Sequence, residues 1–172
     1  MSYKEKLKNI KAFVFDVDGV FTDGSVYLLP GGNMSRVMNV LDGYAVVKAL
    51  KNNYIIGVIT GGNDEMVKHR INYLGIEDYY AKSHDKMADF EDFKKKHRLK
   101  NEDILTMGDD IPDLHIMKNS AIAACPENAV PEIKEIAAYI SPVKGGSGAV
   151  RDVIEQVMKV QGKWHDDNTQ SI

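Results

Sequence analysis

Cysteine is nearly missing from this chain of 172 residues: Cys125 stands alone. No disulfide can form within the chain, so its stability must come from a packed core. Cys125 closes the apolar run Ala121-Ile122-Ala123-Ala124-Cys125, where a small buried side chain is expected rather than a nucleophile. Long apolar runs are missing as well. None approaches the roughly 20 residues needed to cross a bilayer, and Met1 to Lys11 lacks the apolar centre of a signal peptide. No membrane association and a reducing, cytoplasmic setting are the expectations. Excess positive charge is also missing. The 22 Lys and Arg against 25 Asp and Glu leave a formal charge of -3, without the strongly basic face of a nucleic-acid binder. The longest basic run, Lys94-Lys95-Lys96-His97-Arg98, ends a helix-like segment, where cations complement the helix dipole and face water. Repeats, linkers and low-complexity segments are not found, so residues 1–172 are expected to form one domain.

What is present is an alternation of strand and helix signals. Strands are predicted over 11–15, 54–59, 79–81, 103–107, 121–125 and 139–140. Helices are predicted over 42–51, 64–74, 84–97, 111–117, 129–137 and 148–160. Pro30-Gly31-Gly32-Asn33 is a turn signal that makes 25–29 and 34–39 the two arms of a hairpin. Strands alternating with helices imply an α/β fold: a Rossmann-like, doubly wound parallel sheet with helices on both faces. Ligands in such folds sit beyond the carboxyl ends of the strands. The polar interruptions fall on that edge: Asp16-Val17-Asp18, Thr60-Gly61-Gly62 and Gly108-Asp109-Asp110 each follow a strand.

The stretch from Val14 to Gly24 ends a wholly apolar strand by crowding Asp16, Asp18 and Asp23 together. Residues two apart on a strand point the same way, so Asp16 and Asp18 can face one reaction centre, and Asp109 can join them. Clustered carboxylates repel one another unless a cation lies between them. Oxygen ligands favour a hard divalent ion, Mg²⁺ before Zn²⁺, and Mg²⁺ is commonly shared between carboxylates and a substrate phosphate. Thr60-Gly61-Gly62-Asn63 precedes a helix, where glycine permits close backbone approach and the helix start offers N–H donors to an anion. Lys86 opens a later helix and can neutralise phosphate charge as a point cation. Asp23, in Thr22-Asp23-Gly24, reads equally well as a turn residue.

The ordered set Asp16-Val17-Asp18-Gly19-Val20, Thr60, Lys86 and Gly108-Asp109-Asp110 with Asp113 resembles the haloacid dehalogenase superfamily, in all four of its motifs and over essentially the whole chain. The resemblance implies a catalytic set of Asp16, Asp18, Thr60 and Lys86. Asp16 would be the nucleophile that takes the phosphoryl group, and Asp18 would protonate the leaving oxygen and then activate water. Thr60, Gly61 and Lys86 would hold the phosphate. Asp16, Asp109 and the backbone carbonyl of Asp18 would hold Mg²⁺, with Asp110 and Asp113 orienting the metal's waters or Lys86.

Many members of the superfamily carry a cap domain over the site. The intervals from Asp18 to Thr60 and from Thr60 to Lys86 are too short for one, which is similar to the capless subgroup. An open site must borrow cover. Val26, Leu28, Val37 and Val40 would be left exposed on a projecting hairpin, and an unpaired strand edge is an aggregation hazard. The resemblance implies a homotetramer in which hairpins join and a neighbour covers each site. Within that subgroup, Phe15 to Gly24, Gly145-Gly146-Ser147-Gly148-Ala149-Val150-Arg151 and the terminal Gln170-Ser171-Ile172 resemble phosphatases of a phosphorylated sugar acid in lipopolysaccharide synthesis. The implied substrate is 3-deoxy-D-manno-octulosonate 8-phosphate, with the nine-carbon acid KDN 9-phosphate as the alternative. Arg70 matches an arginine that meets the sugar acid across a subunit boundary, and Arg151 is a second candidate substrate contact or else an ion-pair partner. The glycine-rich stretch before Arg151 reads equally as a simple loop and helix start. Gly62 departs from the arginine common at that position, and Gly62 with Tyr73 also lacks the glutamate and lysine of the nine-carbon group. A phospho-accepting receiver-type signalling domain is the non-enzyme alternative, but it would carry its acceptor Asp on a middle strand, where this chain has Thr60.

Overall fold

The computed structural model describes residues 3–165. The elements follow one another as α1 (Tyr3–Leu7), β1 (Ala12–Phe15), β2 (Tyr27–Leu28), β3 (Met34–Ser35), α2 (Val40–Lys51), β4 (Ile55–Ile59), α3 (Glu65–Tyr73) and β5 (Asp78–Tyr80). The chain continues through α4 (Lys86–His97), β6 (Ile104–Met107), α5 (Leu114–Lys118), β7 (Ile122–Cys125), α6 (Pro131–Ile136), β8 (Tyr139–Ile140) and α7 (Ala149–Val160). Six strands form one parallel sheet in the order β5-β4-β1-β6-β7-β8, and β2 pairs with β3 in a separate antiparallel hairpin. The doubly wound α/β arrangement is therefore as expected.

Period-two alternation within the buried strands feeds both faces of the sheet. On β1, Phe13 and Phe15 point into the core built with α2 and α7, whereas Ala12 and Val14 face Phe90 and Phe93 of α4 and Ile116 of α5. In α7 the residues Val150, Val153, Ile154, Val157 and Met158 repeat at three- and four-residue spacing and are all buried, the stripe of a helix lying on a sheet. Burying each such side chain contributes about 1.5–3 kcal/mol. Helix starts are fixed by side chains that accept otherwise unpaired N–H groups: Asn39 caps α2, Asp64 caps α3 and Asp85 caps α4. Cys125 is fully buried, and burial pushes its thiol up to about 11, which fits a packing role.

Two details depart from the sequence-based expectation. Helix α1 carries no clear signal in the sequence, because of its residues only Leu7 is buried; Tyr3 holds it down by stacking on Tyr139 at 5.2 Å and donating to Gln156. The hairpin is much shorter than predicted, with two paired residues in each arm. Leu28 on the hairpin is exposed as expected, at 81%, and so is Val37 just beyond it, at 58%; Val40 is exposed too, at 75%, but it opens α2 rather than lying on the hairpin.

Candidate active site

The carboxyl ends of the central strands β4, β1 and β6 open onto one cleft of about 830 Å³, lined among others by Asp16, Asp18, Thr60, Gly61, Lys86, Asp109 and Asp113. A cleft of similar size at the opposite edge, beside Lys11 and Asn53, is remote from these groups.

Asp16 follows β1 directly, and its N–H is tied to the carbonyl of Met107 on β6. The chain then turns at Gly19, whose φ of 83° suits glycine. The Thr22 hydroxyl pins that turn by accepting from the N–H groups of Gly19 and Gly24. A β-carbon on Gly19 would collide with the carboxylate of Asp109, and one on Gly145 would collide with the carbonyl of Gly19. Asn128 completes the contact by donating to the Gly19 carbonyl and accepting from the Gly145 N–H at 2.6 Å. The glycine-rich stretch is thus a brace: it presses the Asp18–Gly19 turn against Asp109.

Lys86 opens α4 and is deeply buried, its Nζ lying 3.0 Å from Asp16 and 2.7 Å from Asp113. Burial pulls the lysine's pKa down, but Asp113 and Asp16 together outweigh that and raise it, so the ammonium stays charged. The carboxylates are less well served. Burial first, and then the Asp113 charge, push Asp16 up to about 7 against the opposing pull of Lys86. Burial, then Asp16, Asp113 and Asp110, push Asp109 up to about 7. Oxygens of Asp16, Asp109 and Asp113 all lie within 4.8 Å of one another, and Asp109 Oδ1 is buried with no hydrogen-bond partner. Crowded, desolvated, under-partnered oxygens fit a hard divalent cation. Asp113 is the least available, since Oδ1 accepts from Lys86 and Oδ2 from the Asp109 N–H; Asp16 and Asp109 have oxygen to give.

Thr60 is buried at the end of β4. Its oxygen accepts from the Gly62 N–H, leaving the hydroxyl proton for a ligand in the cleft. The start of α3 does not serve as an anion site, because the Asp64 carboxylate takes the N–H groups of Met66 and Val67. Asp110 caps the turn Ile111–Asp113, and Asp23 closes a local turn by accepting from the Ser25 N–H.

A profile of haloacid dehalogenase-like hydrolases matches residues 63–154. The chain is 34% identical over 167 residues to the 3-deoxy-D-manno-octulosonate 8-phosphate phosphatase KdsC of Salmonella typhi, covering 97% of this chain and 89% of that protein. The chain belongs to the haloacid dehalogenase-like hydrolases. Among solved structures of the family, the 3-deoxy-D-manno-octulosonate 8-phosphate phosphatase of Yersinia pestis superposes with a TM-score of 0.94 at 29% identity, over 98% of this chain and 91% of that one. The Moraxella catarrhalis enzyme, solved with magnesium, phosphate and KDO, gives 0.90 at 30% identity, over 94% and 92% of the two chains. Membership of this hydrolase family sets aside the receiver-domain alternative.

Not every expected residue of this hydrolase reaches the cleft within one chain. Arg70 lies over the ring of Tyr73 and packs against Gly43 of α2, where a β-carbon would meet its guanidinium. Arg151 stacks between Tyr44 and Trp164 and pairs with Glu155. Neither lines the cleft. The carboxylate of Asp18 is at the cleft but outside the group formed by Asp16, Asp109 and Asp113; it is held by Arg36 at 2.6 Å. Sequence reasoning misses both Arg36 and Asn128. An arginine interrupting the apolar stretch Met34 to Leu41 is the one available signal for Arg36; Asn128 offers none. The terminal Gln170-Ser171-Ile172 lies outside the described residues.

Proposed function

We propose that the protein hydrolyses 3-deoxy-D-manno-octulosonate 8-phosphate to the free sugar acid and phosphate, a step of lipopolysaccharide precursor synthesis, with residues 1–172 acting as a single domain. The observation that carries the chemistry is the meeting of Asp16, Asp109 and Lys86 in one cleft. The observation that carries the substrate is the likeness to KdsC enzymes along nearly the full chain. Lys86, the Thr60 hydroxyl and the backbone at Gly61 bind the phosphate. A carboxylate oxygen of Asp16 attacks phosphorus, and the bond to the sugar oxygen breaks as Asp18 gives that oxygen a proton. Asp18 then takes a proton from water, which attacks the aspartyl phosphate and frees inorganic phosphate and the Asp16 carboxylate. Asp16, Asp109 and the Asp18 carbonyl would hold Mg²⁺, which offsets the negative charge gathered between attacking and transferred groups.

A phosphate-release screen over phosphorylated sugars and sugar acids with Mg²⁺ tests this reading. The eight-carbon acid should exceed KDN 9-phosphate by at least about tenfold in kcat/KM, the size of a modest pocket preference. Equal or better turnover of the nine-carbon acid would reassign the substrate, and no release from any compound would end the phosphatase reading.

We further propose a homotetramer, with the exposed residues Val26, Leu28, Val37 and Val40, on and beside the hairpin, buried between subunits and a neighbour lying over each cleft. Arg70 and Arg151, which do not reach their own cleft, are proposed to serve a neighbour's. The buried free thiol of Cys125 suits a reducing compartment, and the cytoplasm is the proposed setting. Sedimentation at assay concentration should give a species near four times the chain mass, and Leu28→Asp should dissociate it and lower turnover together. A fully active monomer contradicts the shared cover.

A further inference from the structure

Arg36 leaves the hairpin just after β3 and is nearly buried, its side chain 10% exposed. All three guanidinium nitrogens are engaged. Nε donates to Asp18 Oδ1 at 2.6 Å, the second terminal nitrogen lies 3.4 Å from Asp18 Oδ2, and the first donates to Asp64 Oδ2 at 2.9 Å. Asp64 is itself fixed, since its other oxygen caps α3. The planar fork of arginine therefore ties Asp18 to the capped start of α3. A covered guanidinium held between two carboxylates in this way keeps one geometry, unlike a single exposed ion pair worth about 0–1 kcal/mol. Asp18 otherwise stands on the outer side of the turn at Gly19, with 38% of its side chain exposed. Gly62 lies beside this pair: a β-carbon there would sit 3.4 Å from Thr60 Oγ1, 3.7 Å from Asp18 Oδ2 and 4.0 Å from Arg36, in ordinary contact with all three.

We propose that Arg36 is a positioning residue that aims the Asp18 carboxyl group at the leaving oxygen. The inference rests on the phosphatase reading above and adds to it a residue that none of the four motifs contains. A misaimed proton donor loses part of the roughly 10²–10⁴-fold that general acid catalysis contributes. The loss depends on the leaving group: a sugar alkoxide must be protonated as it departs, whereas p-nitrophenolate departs without a proton. An arginine that only anchored the hairpin, or that bound the sugar acid directly, would give a different pattern.

The test is single-turnover release of the alcohol, enzyme in excess with Mg²⁺, for the sugar acid phosphate and for p-nitrophenyl phosphate. Arg36→Ala should slow release of the sugar acid about 10–100-fold and release of p-nitrophenol by no more than about threefold. Arg36→Lys should recover part of the loss. In an Asp18→Asn background the Arg36 substitution should add nothing, as for two residues acting through one step. Equal losses on both substrates, or a change confined to KM for the sugar acid, overturns the inference while leaving the phosphatase reading intact. A wild-type enzyme silent on both substrates overturns both. Arg36→Gln gives the same comparison where the alanine variant is poorly folded, as judged by its circular dichroism.

Discussion

Replacing Asp16 by asparagine will abolish phosphate release, by about 10⁴-fold or more, and leave the fold standing. The amide has nearly the shape of the carboxylate but no anionic oxygen with which to attack phosphorus, and a nucleophile has no substitute in a two-step displacement. The fold tolerates the change because Asp16 contributes little to stability as an anion. Its side chain is nearly buried, and burial together with the Asp113 charge opposes ionisation. Lys86 loses one carboxylate partner at 3.0 Å but retains Asp113 at 2.7 Å, so its ammonium is not left unpaired. Circular dichroism should match the wild type, and the metal-free variant at pH 8 should melt no lower. Near-wild-type turnover in the folded variant removes Asp16 from the covalent step. Lost turnover with a collapsed melting point instead makes Asp16 a structural anchor of the Lys86 cluster.

The part of the molecule legible in the sequence is the part written in contiguous residues. β1 is four buried apolar residues bounded by charge, and Asp16 follows at once, so the strand, its burial and the site at its end can be read together. The same holds for Thr60 after β4 and Asp109 after β6. The sheet order cannot be read that way, but right-handed crossovers and the position of the motifs at strand ends confine it. What stays hidden is assembled from distant pieces. Asn128 meets Gly19 across 109 positions. Gly145 has to be glycine because a carbonyl occupies the space of its β-carbon, whereas a glycine-rich run alone suggests only a turn. The acidic cluster is also only half resolved by spacing. Asp18 looks interchangeable with Asp16 on the period-two rule, yet Arg36 draws one carboxylate outward while Lys86 draws the other inward. Arg70 and Arg151 mark a third kind of limit, since aromatic rings and Glu155 occupy them within their own chain.

The stability of the metal-free protein should fall as pH rises from about 4 to about 7, and Mg²⁺ should reverse much of that fall. Asp16 and Asp109 carry folded-state pKa values pushed from 3.8 up to about 7. Between those limits the folded protein binds more protons than the unfolded chain, so stability decreases with pH. The contribution is fully present below the unfolded value and is lost above the folded one. A tenfold difference in proton affinity between folded and unfolded chain corresponds to about 1.4 kcal/mol, but the two groups repel each other and that repulsion counts once, so the pair costs less than the sum. Asp42, pushed by burial up to about 6, adds a slope of the same sign that no ion in the cleft relieves. Asp103 and Glu155 are held below the ordinary carboxylate range by neighbouring cations that outweigh burial, Lys11 and Lys100 for the first, Lys159 and Arg151 for the second; their effect falls below about pH 4.5 and leaves the window untouched. A cation between Asp16 and Asp109 favours their ionised form and competes with protons. Mg²⁺ should therefore raise the melting temperature by about 5 °C or more at pH 8 and by little at pH 5, given about 2–4 °C per kcal/mol for a chain of this size. Asp109→Asn should flatten the metal-free slope and abolish the Mg²⁺ effect at pH 8, whereas Asp23→Asn, at the local turn, should change neither. An Mg²⁺-induced shift of equal size at pH 5 and pH 8, or one that survives Asp109→Asn, would place the ion somewhere other than between these carboxylates.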